Sequence, residues 1–240
     1  MNSQLLKANE RGSADHGWLK ANHSFSFSGY FNPDRVHFGM LRVLNDDTVA
    51  AGMGFGTHPH ENMEIVTIPL EGAIRHRDSM GNEGVIGFGE VQVMSAGSGI
   101  HHSEMNASRE NPVKLLQVWV FPERENVAPR YGQEEFDLVK NTNKFVTVVT
   151  PHDKNDGKAL WIYQQAWFSL GIFQIGEKAT YDIRHVGDGV YLFLIDGEIS
   201  VNGQTLTARD ALEITDFDSF DIEMIRESKI LLIEVPMQQR

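Results

Sequence analysis

The sequence predicts an all-β protein made of two antiparallel barrels in one chain. Three observations carry that expectation. Apolar runs of about six residues alternate with turns rich in glycine, asparagine and aspartate along the whole chain, the rhythm of one hairpin after another. Asp196-Gly197 and Asn202-Gly203 stand between apolar runs, and such pairs are strong hairpin signals because both residue types accept the backbone of a tight turn. The second half repeats the layout of the first, in a chain of 240 residues, which is comfortable for two domains of ordinary size.

Composition narrows the function classes. With 41% hydrophobic and 10% aromatic residues, the chain can bury a substantial core. Lys and Arg total 21 against 33 Asp and Glu, a formal charge of −12, so the basic footprint that a phosphate backbone needs is missing and direct nucleic-acid binding is not expected. There is no cysteine, which removes disulfides, thiolate metal sites and a cysteine nucleophile together. Any metal must be held by His, Asp or Glu. Residues 1–7 lack the apolar core of a secretory signal and no window approaches 18 apolar residues, so the expectation is a cytoplasmic protein with no membrane role.

Taken in order, residues 11–34 are rich in aromatics, histidines and glycines. Alternation at 23–27 puts Phe25 and Phe27 on one face with His23, as in a half-buried strand. His16, His23 and His37 show no convergent spacing and read as hydrogen-bonded core histidines rather than ligands. Residues 39–44 form a strand closed by a turn at Asn45-Asp46-Asp47-Thr48. A strand over 49–55 follows, in which Gly52, Gly54 and Gly56 suit a close backbone approach or a barrel corner. Strands at 63–70, 73–78 and 91–94 come next, then a Gly/Ser turn at 96–99 and an apolar strand at 113–121. Prolines and charges over 122–131 end the first unit, with 133–139 a short helix or connector. The expected division is therefore 1–137 and 138–240. Strands recur in the second half at 144–150, 159–163, 166–175, 190–195, 198–201, 204–208 and 230–235.

The chemistry concentrates in the first half, at Thr57-His58-Pro59-His60 and at His102-Ser103-Glu104. With ten histidines in the chain, one His-x-His arises by chance about 0.4 times, so it is weak alone. The second pair has the same spacing. In extended strands, side chains two apart share a face, so His58 and His60 can meet His102 and Glu104 from a neighbouring strand inside the barrel. Three imidazoles and a carboxylate make a metal site. His101 points to the opposite face. The second half contains only His152 and His185, with no comparable pair, so one barrel keeps the chemistry.

Two longer patterns carry a resemblance. Gly52, five residues, His58-x-His60, three residues, Glu64 and then Gly72 resemble the first cupin motif, lengthened by one residue before the last glycine. Gly89, five residues, Ser95-x-Gly97, then His102, three residues and Asn106 resemble the second, with serine where proline is usual and a longer gap before the histidine. More narrowly, Asp15-His16-Gly17-Trp18, the 23–27 stretch, 57–60 and 102–104 are similar to the pirin family over most of the chain. That resemblance implies a bicupin: two double-stranded β-helix (jelly-roll) barrels packed face to face, with metal only in the N-terminal one. It also implies ligands at His58, His60, His102 and Glu104, with Glu64, the ligand of ordinary cupins, left to a supporting role.

Such a set suits one divalent transition metal, iron(II) first, with copper, nickel, manganese or zinc as alternatives. A six-coordinate metal would keep two open positions. Relatives implied by the resemblance cleave the heterocyclic ring of flavonols such as quercetin with O2, with Glu104 as ligand or as base for the 3-hydroxyl proton. Trp18, Phe25, Phe27 and Phe55 are either walls for a flat substrate or core. The alternative is a metal-binding or redox-sensing pirin that regulates a protein partner, a transcription factor or a metabolic enzyme. A sugar-phosphate isomerase is disfavoured because the expected pocket residues are aromatic rather than cationic.

Overall fold

The structure is a computed structural model in which residues 1–239 are described. Its regular secondary structure is almost entirely strand, as the alternation and turn chemistry require. The chain opens with β1 (Asn2–Leu6). It continues with β2 (Gly12–Asp15), β3 (Leu19–His23), β4 (Leu41–Val49), β5 (Gly54–His60), β6 (Glu64–Glu71), β7 (Ala73–Asp78), β8 (Glu83–Gly87), β9 (Glu90–Ser95), β10 (Ile100–Asn106), β11 (Val113–Val120) and β12 (Arg130–Glu135). Then come β13 (Lys144–Pro151), β14 (Leu160–Ile162), β15 (Trp167–Phe173), β16 (Lys178–Asp182), β17 (Asp188–Asp196), β18 (Glu198–Val201), β19 (Gln204–Thr207), β20 (Ala211–Thr215), β21 (Ser219–Met224) and β22 (Ser228–Pro236). No helix among the described residues is long and apolar enough to cross a membrane.

Contacts divide the chain into two compact units. One comprises Gly12–Phe136 and Leu160–Gln164; the other comprises Met1–Arg11, Asp137–Ala159 and Gln165–Arg240. The chain thus leaves the N-terminal unit after Phe136, and two segments depart from a single division there. Strand β1 pairs antiparallel with β20, from Asn2 opposite Thr215 to Leu6 opposite Ala211, so the first residues complete the C-terminal barrel. Residues 160–164, β14 included, return to the N-terminal unit.

Within the N-terminal unit, one sheet runs β12-β9-β6-β11-β4-β3-β2 and a smaller one β5-β10-β7-β8. Within the C-terminal unit, the order β1-β20-β17-β22-β15-β13 stands beside the smaller sheet β16-β21-β18-β19. The two small sheets match strand for strand: β5, β10 and β7 have their counterparts in β16, β21 and β18. In the C-terminal barrel those counterparts carry Tyr181, Ile222 and Ile199, all buried in one core with Phe173, Leu192 and Phe220. Each fully buried aliphatic or aromatic side chain of this kind contributes about 1.5–3 kcal/mol, so that barrel is held by packing. In the N-terminal barrel the same strands carry His58, His102 and His76.

Four local expectations are revised. The 45–48 segment is not a turn, because β4 runs unbroken through it, with Asn45 and Asp47 buried on the inner face. The strand expected over 49–55 is split by a turn at 50–53, where Gly52 has a positive φ of 69°. Strand β3 stops at His23, so residues 24–26 are irregular. Of the 133–139 segment, residues 133–135 belong to an edge strand on β9, 130–135, and only 136–139 are a connector.

Candidate metal centre

Strand β10 lies between β5 and β7, and its alternation decides which side chains turn inward. Ile100, His102, Glu104 and Asn106 are buried, while His101 between them is exposed. Across β5, His102 is the register partner of His58; the register then slips by one residue and Glu104 comes opposite Phe55. Across β7, Glu104 is the partner of His76. Gly54 allows the close approach of β5 and β10: a Cβ there would sit 2.3 Å from the Glu104 carbonyl oxygen.

The three histidines expected from the spacing converge. Ring centroids lie 4.4 Å apart for His58 and His102, 4.8 Å for His58 and His60, and 4.9 Å for His60 and His102. One donor atom from each falls within 4.8 Å of the others. A second group with the same property is His76, His102 and Glu104, so His102 belongs to both. His58 Nδ1 is 2.8 Å from the Gly56 carbonyl, which only an N–H can satisfy, and Nε2 is left with its lone pair. His102 Nε2 is buried with no hydrogen-bond partner among the described residues. Burial, then the His58 charge, pushes the His60 pKa down to about 4; burial, then His58, His60 and His76, pushes that of His102 to about 2. Both rings are therefore neutral at pH 7, with lone pairs for a metal. An orphaned imidazole nitrogen in a nest of neutral imidazoles fits a divalent first-row ion.

Glu104 is fully buried and oriented by its neighbours. Gln117 Nε2 donates to Oε2 at 2.7 Å, and the Thr67 hydroxyl lies 3.2 Å from Oε1. Burial raises its pKa against the pull of Gln117, His76 and Thr67. His76 is packed behind His102, with 3.5 Å between their Nδ1 atoms, and its Nε2 lies 3.2 Å from Asp78 Oδ2 while its ring stacks on Tyr131. Glu64 stands outside both groups: its carboxylate accepts from the Ser95 hydroxyl at 2.6 Å, and burial pushes its pKa up to about 7.

A cavity of about 240 Å³ opens over His58, His60 and Glu104. Its apolar walls are Leu19, Ala21, Phe27, Phe55 and Trp119, and its polar wall is His23, Asn45, Asp47 and Gln117. Trp119 stacks edge-on against His60 at 4.9 Å and Phe27 at 5.3 Å; Trp18 braces Phe55 at 5.3 Å. Phe25 is core, 1% exposed. His23 is buried and bonded to Asn45 Oδ1 at 2.8 Å, and His37 Nδ1 to the Gly39 carbonyl at 2.8 Å. His16 and His37 are exposed rather than core, because His16 lies in the turn between β2 and β3 and His37 in the loop before β4. Burial, then the charges of Asp46 and Glu104, pushes the Asp47 pKa up to about 8.

Sequence reasoning missed His76, Asp47, Gln117 and Trp119 as site residues. His76-Arg77-Asp78 does repeat the two-residue spacing of the candidate ligand pairs, and that is a usable signal.

Two double-sheet β-barrels in one chain, one lined by imidazoles and carboxylate under an open cavity and the other packed with hydrocarbon, define a bicupin. Residues 5–120 match the pirin family model, and residues 147–235 match that of the quercetinase C-terminal cupin domain. The quercetin 2,3-dioxygenase of Escherichia coli K12 is 41% identical over 232 residues, covering 97% of this chain and 98% of that protein. A pirin-like protein of Caulobacter vibrioides is 40% identical over 223 residues, with 93% and 95% covered. The crystal structure of the E. coli bacterial pirin YhhW in complex with nickel(II) aligns with a TM-score of 0.92 at 39% identity, covering 98% of this chain and 99% of that one. The chain belongs to the pirin family.

Proposed function

We propose that the N-terminal barrel binds one divalent transition metal through His58, His60, His102 and Glu104, and oxidises flavonols such as quercetin with O2, cleaving the heterocyclic ring. The observation that carries this reading is the convergence of neutral imidazole donors, one with an orphaned nitrogen, beneath an aromatic-lined cavity. Relatives named quercetin 2,3-dioxygenase and a nickel-bound pirin support it. Iron(II) is the first choice of metal, with copper, nickel, manganese and zinc as alternatives. When bound, the metal supplies a Lewis acid for the substrate oxygens and an open position for a second small ligand.

The chain's own residues do the rest. Gly56 and His76 orient the rings of His58 and His102. Gln117 and Thr67 aim Glu104, whose carboxylate takes the 3-hydroxyl proton of the flavonol. Phe27, Phe55 and Trp119 grip the flat rings and exclude water. Oxygen uptake with quercetin, on protein stripped and reloaded with single metals, tests the reading, with Glu104→Ala as control. Turnover that needs both metal and Glu104 supports it; tight metal binding without uptake overturns it and turns attention to protein partners.

A further inference from the structure

We infer that Asp47 is a substrate-binding residue, which selects phenolic ligands bearing a second hydroxyl remote from the oxygens that face the histidines. The inference deepens the flavonol reading and rests on it for the class of ligand.

Three facts single out this carboxyl. Asp47 lines the cavity and is 3% exposed, yet its Oδ1 has no hydrogen-bond partner and no cation pairs with it among the described residues. The other polar groups of that wall are engaged, Asn45 by His23 and Gln117 by Glu104 and Thr67. Its register partners on the two flanking strands are Ala21 and Leu115, so an apolar side chain would suit the surroundings better. A buried carboxyl without a partner lowers stability, and groups of that kind persist where a ligand uses them.

The ligand chemistry follows from what surrounds it. Among the described residues no lysine or arginine lines the cavity, so nothing near Asp47 pairs with an anionic ligand group. The neighbouring walls are aromatic, and Trp119 Nε1 is a second buried polar atom without a partner. A hydroxyl on a flat ring can donate to a carboxyl, and a hydroxyl oxygen can accept from an indole N–H. The carboxyl turns easily about Cβ–Cγ, so either oxygen can receive it.

The test is equilibrium binding to zinc-loaded protein, where no turnover is needed, with quercetin against 3-hydroxyflavone, which keeps the 3-hydroxyl and 4-carbonyl but lacks every remote hydroxyl. Asp47→Leu is expected to weaken quercetin about 10-fold or more while leaving 3-hydroxyflavone within about twofold. Asp47→Asn, which keeps an acceptor, retains most of the quercetin affinity. The melting temperature of ligand-free Asp47→Leu is expected to equal or exceed that of the wild type, which a structural role would not allow. If the leucine variant does not fold, Asp47→Ala provides the same ligand comparison. An equal loss for both flavonols, or no loss for quercetin, overturns the inference while the flavonol reading stands. Failure of both flavonols to bind the wild type overturns that reading and the inference with it.

Discussion

His58 and His102 stand directly opposite each other across β5 and β10, with ring centroids 4.4 Å apart and His60 against both. A proton on any of these rings raises the cost of a proton on the next. His60 and His102 have folded pKa values of about 4 and about 2, below the unfolded value near 6.5. Between those limits the unfolded chain binds more protons, so these two rings withdraw stability from the metal-free protein as the pH falls from about 6.5, and none of this loss is felt above it. Asp47 and Glu64, raised to about 8 and about 7, act in the opposite sense, their contribution fading as pH rises. The contrast to measure is therefore His60→Gln against wild type in thermal melts from pH 7 to 4.5, both metal-free. The variant should lose less on the acid side, by about 1–2 kcal/mol once solvent screening of a ring that is only partly buried is allowed for; superimposable acid limbs would remove His60 from the account.

Gly54→Ala should disturb the centre from beneath. Its Cβ would lie 2.3 Å from the Glu104 carbonyl oxygen and 2.6 Å from Met105 Cα, both backbone atoms that cannot swing aside. A loss of about 1–3 kcal/mol and at least a 10-fold weaker metal affinity are expected. Gly56→Ala, with nothing near its Cβ, is the control and should stay within about 0.5 kcal/mol. Urea melts and metal titrations of the two variants decide it, and equal behaviour would show that β10 tolerates the displacement.

Ser95→Ala removes the hydroxyl that Glu64 accepts at 2.6 Å. A buried carboxylate left short of a donor costs about 1–3 kcal/mol. Denaturation should show that loss, while metal content per chain stays at the wild-type level. Loss of metal in this variant would bring Glu64 into the ligand set.

His76→Phe keeps the stacking on Tyr131 but removes the nitrogen beside His102 and the contact to Asp78. Metal affinity should fall about 10- to 100-fold, as for other residues that orient a ligating histidine. Competition with a chelator measures it. Unchanged affinity would mean that His102 is held by β10 alone.

Much of the centre was legible because strand geometry has period two: His58 and His60, and His102 and Glu104, share a face whenever their segments are extended. The double barrel was legible from turn residues such as Asp196-Gly197. The polar wall was not, because Asn45-Asp46-Asp47 has turn chemistry as a string of letters, and only the path of β4 shows that alternate members point into a cavity. His76 was only half legible: the spacing of His76-Arg77-Asp78 hinted at it, but its neighbour in the site, Glu104, is set by the pairing of β7 with β10, which no local pattern encodes.

The pairing of β1 with β20 joins residues 2–6 to residues 211–215. During synthesis β1 therefore waits, with its hydrogen-bonding edge open, until residues 211–215 have emerged. A loop of that length is slow to close, so the C-terminal barrel should be the late, rate-limiting part of maturation, while residues 12–136, joined by 160–164, can settle beforehand. The histidine cluster would then be assembled before the second barrel has closed.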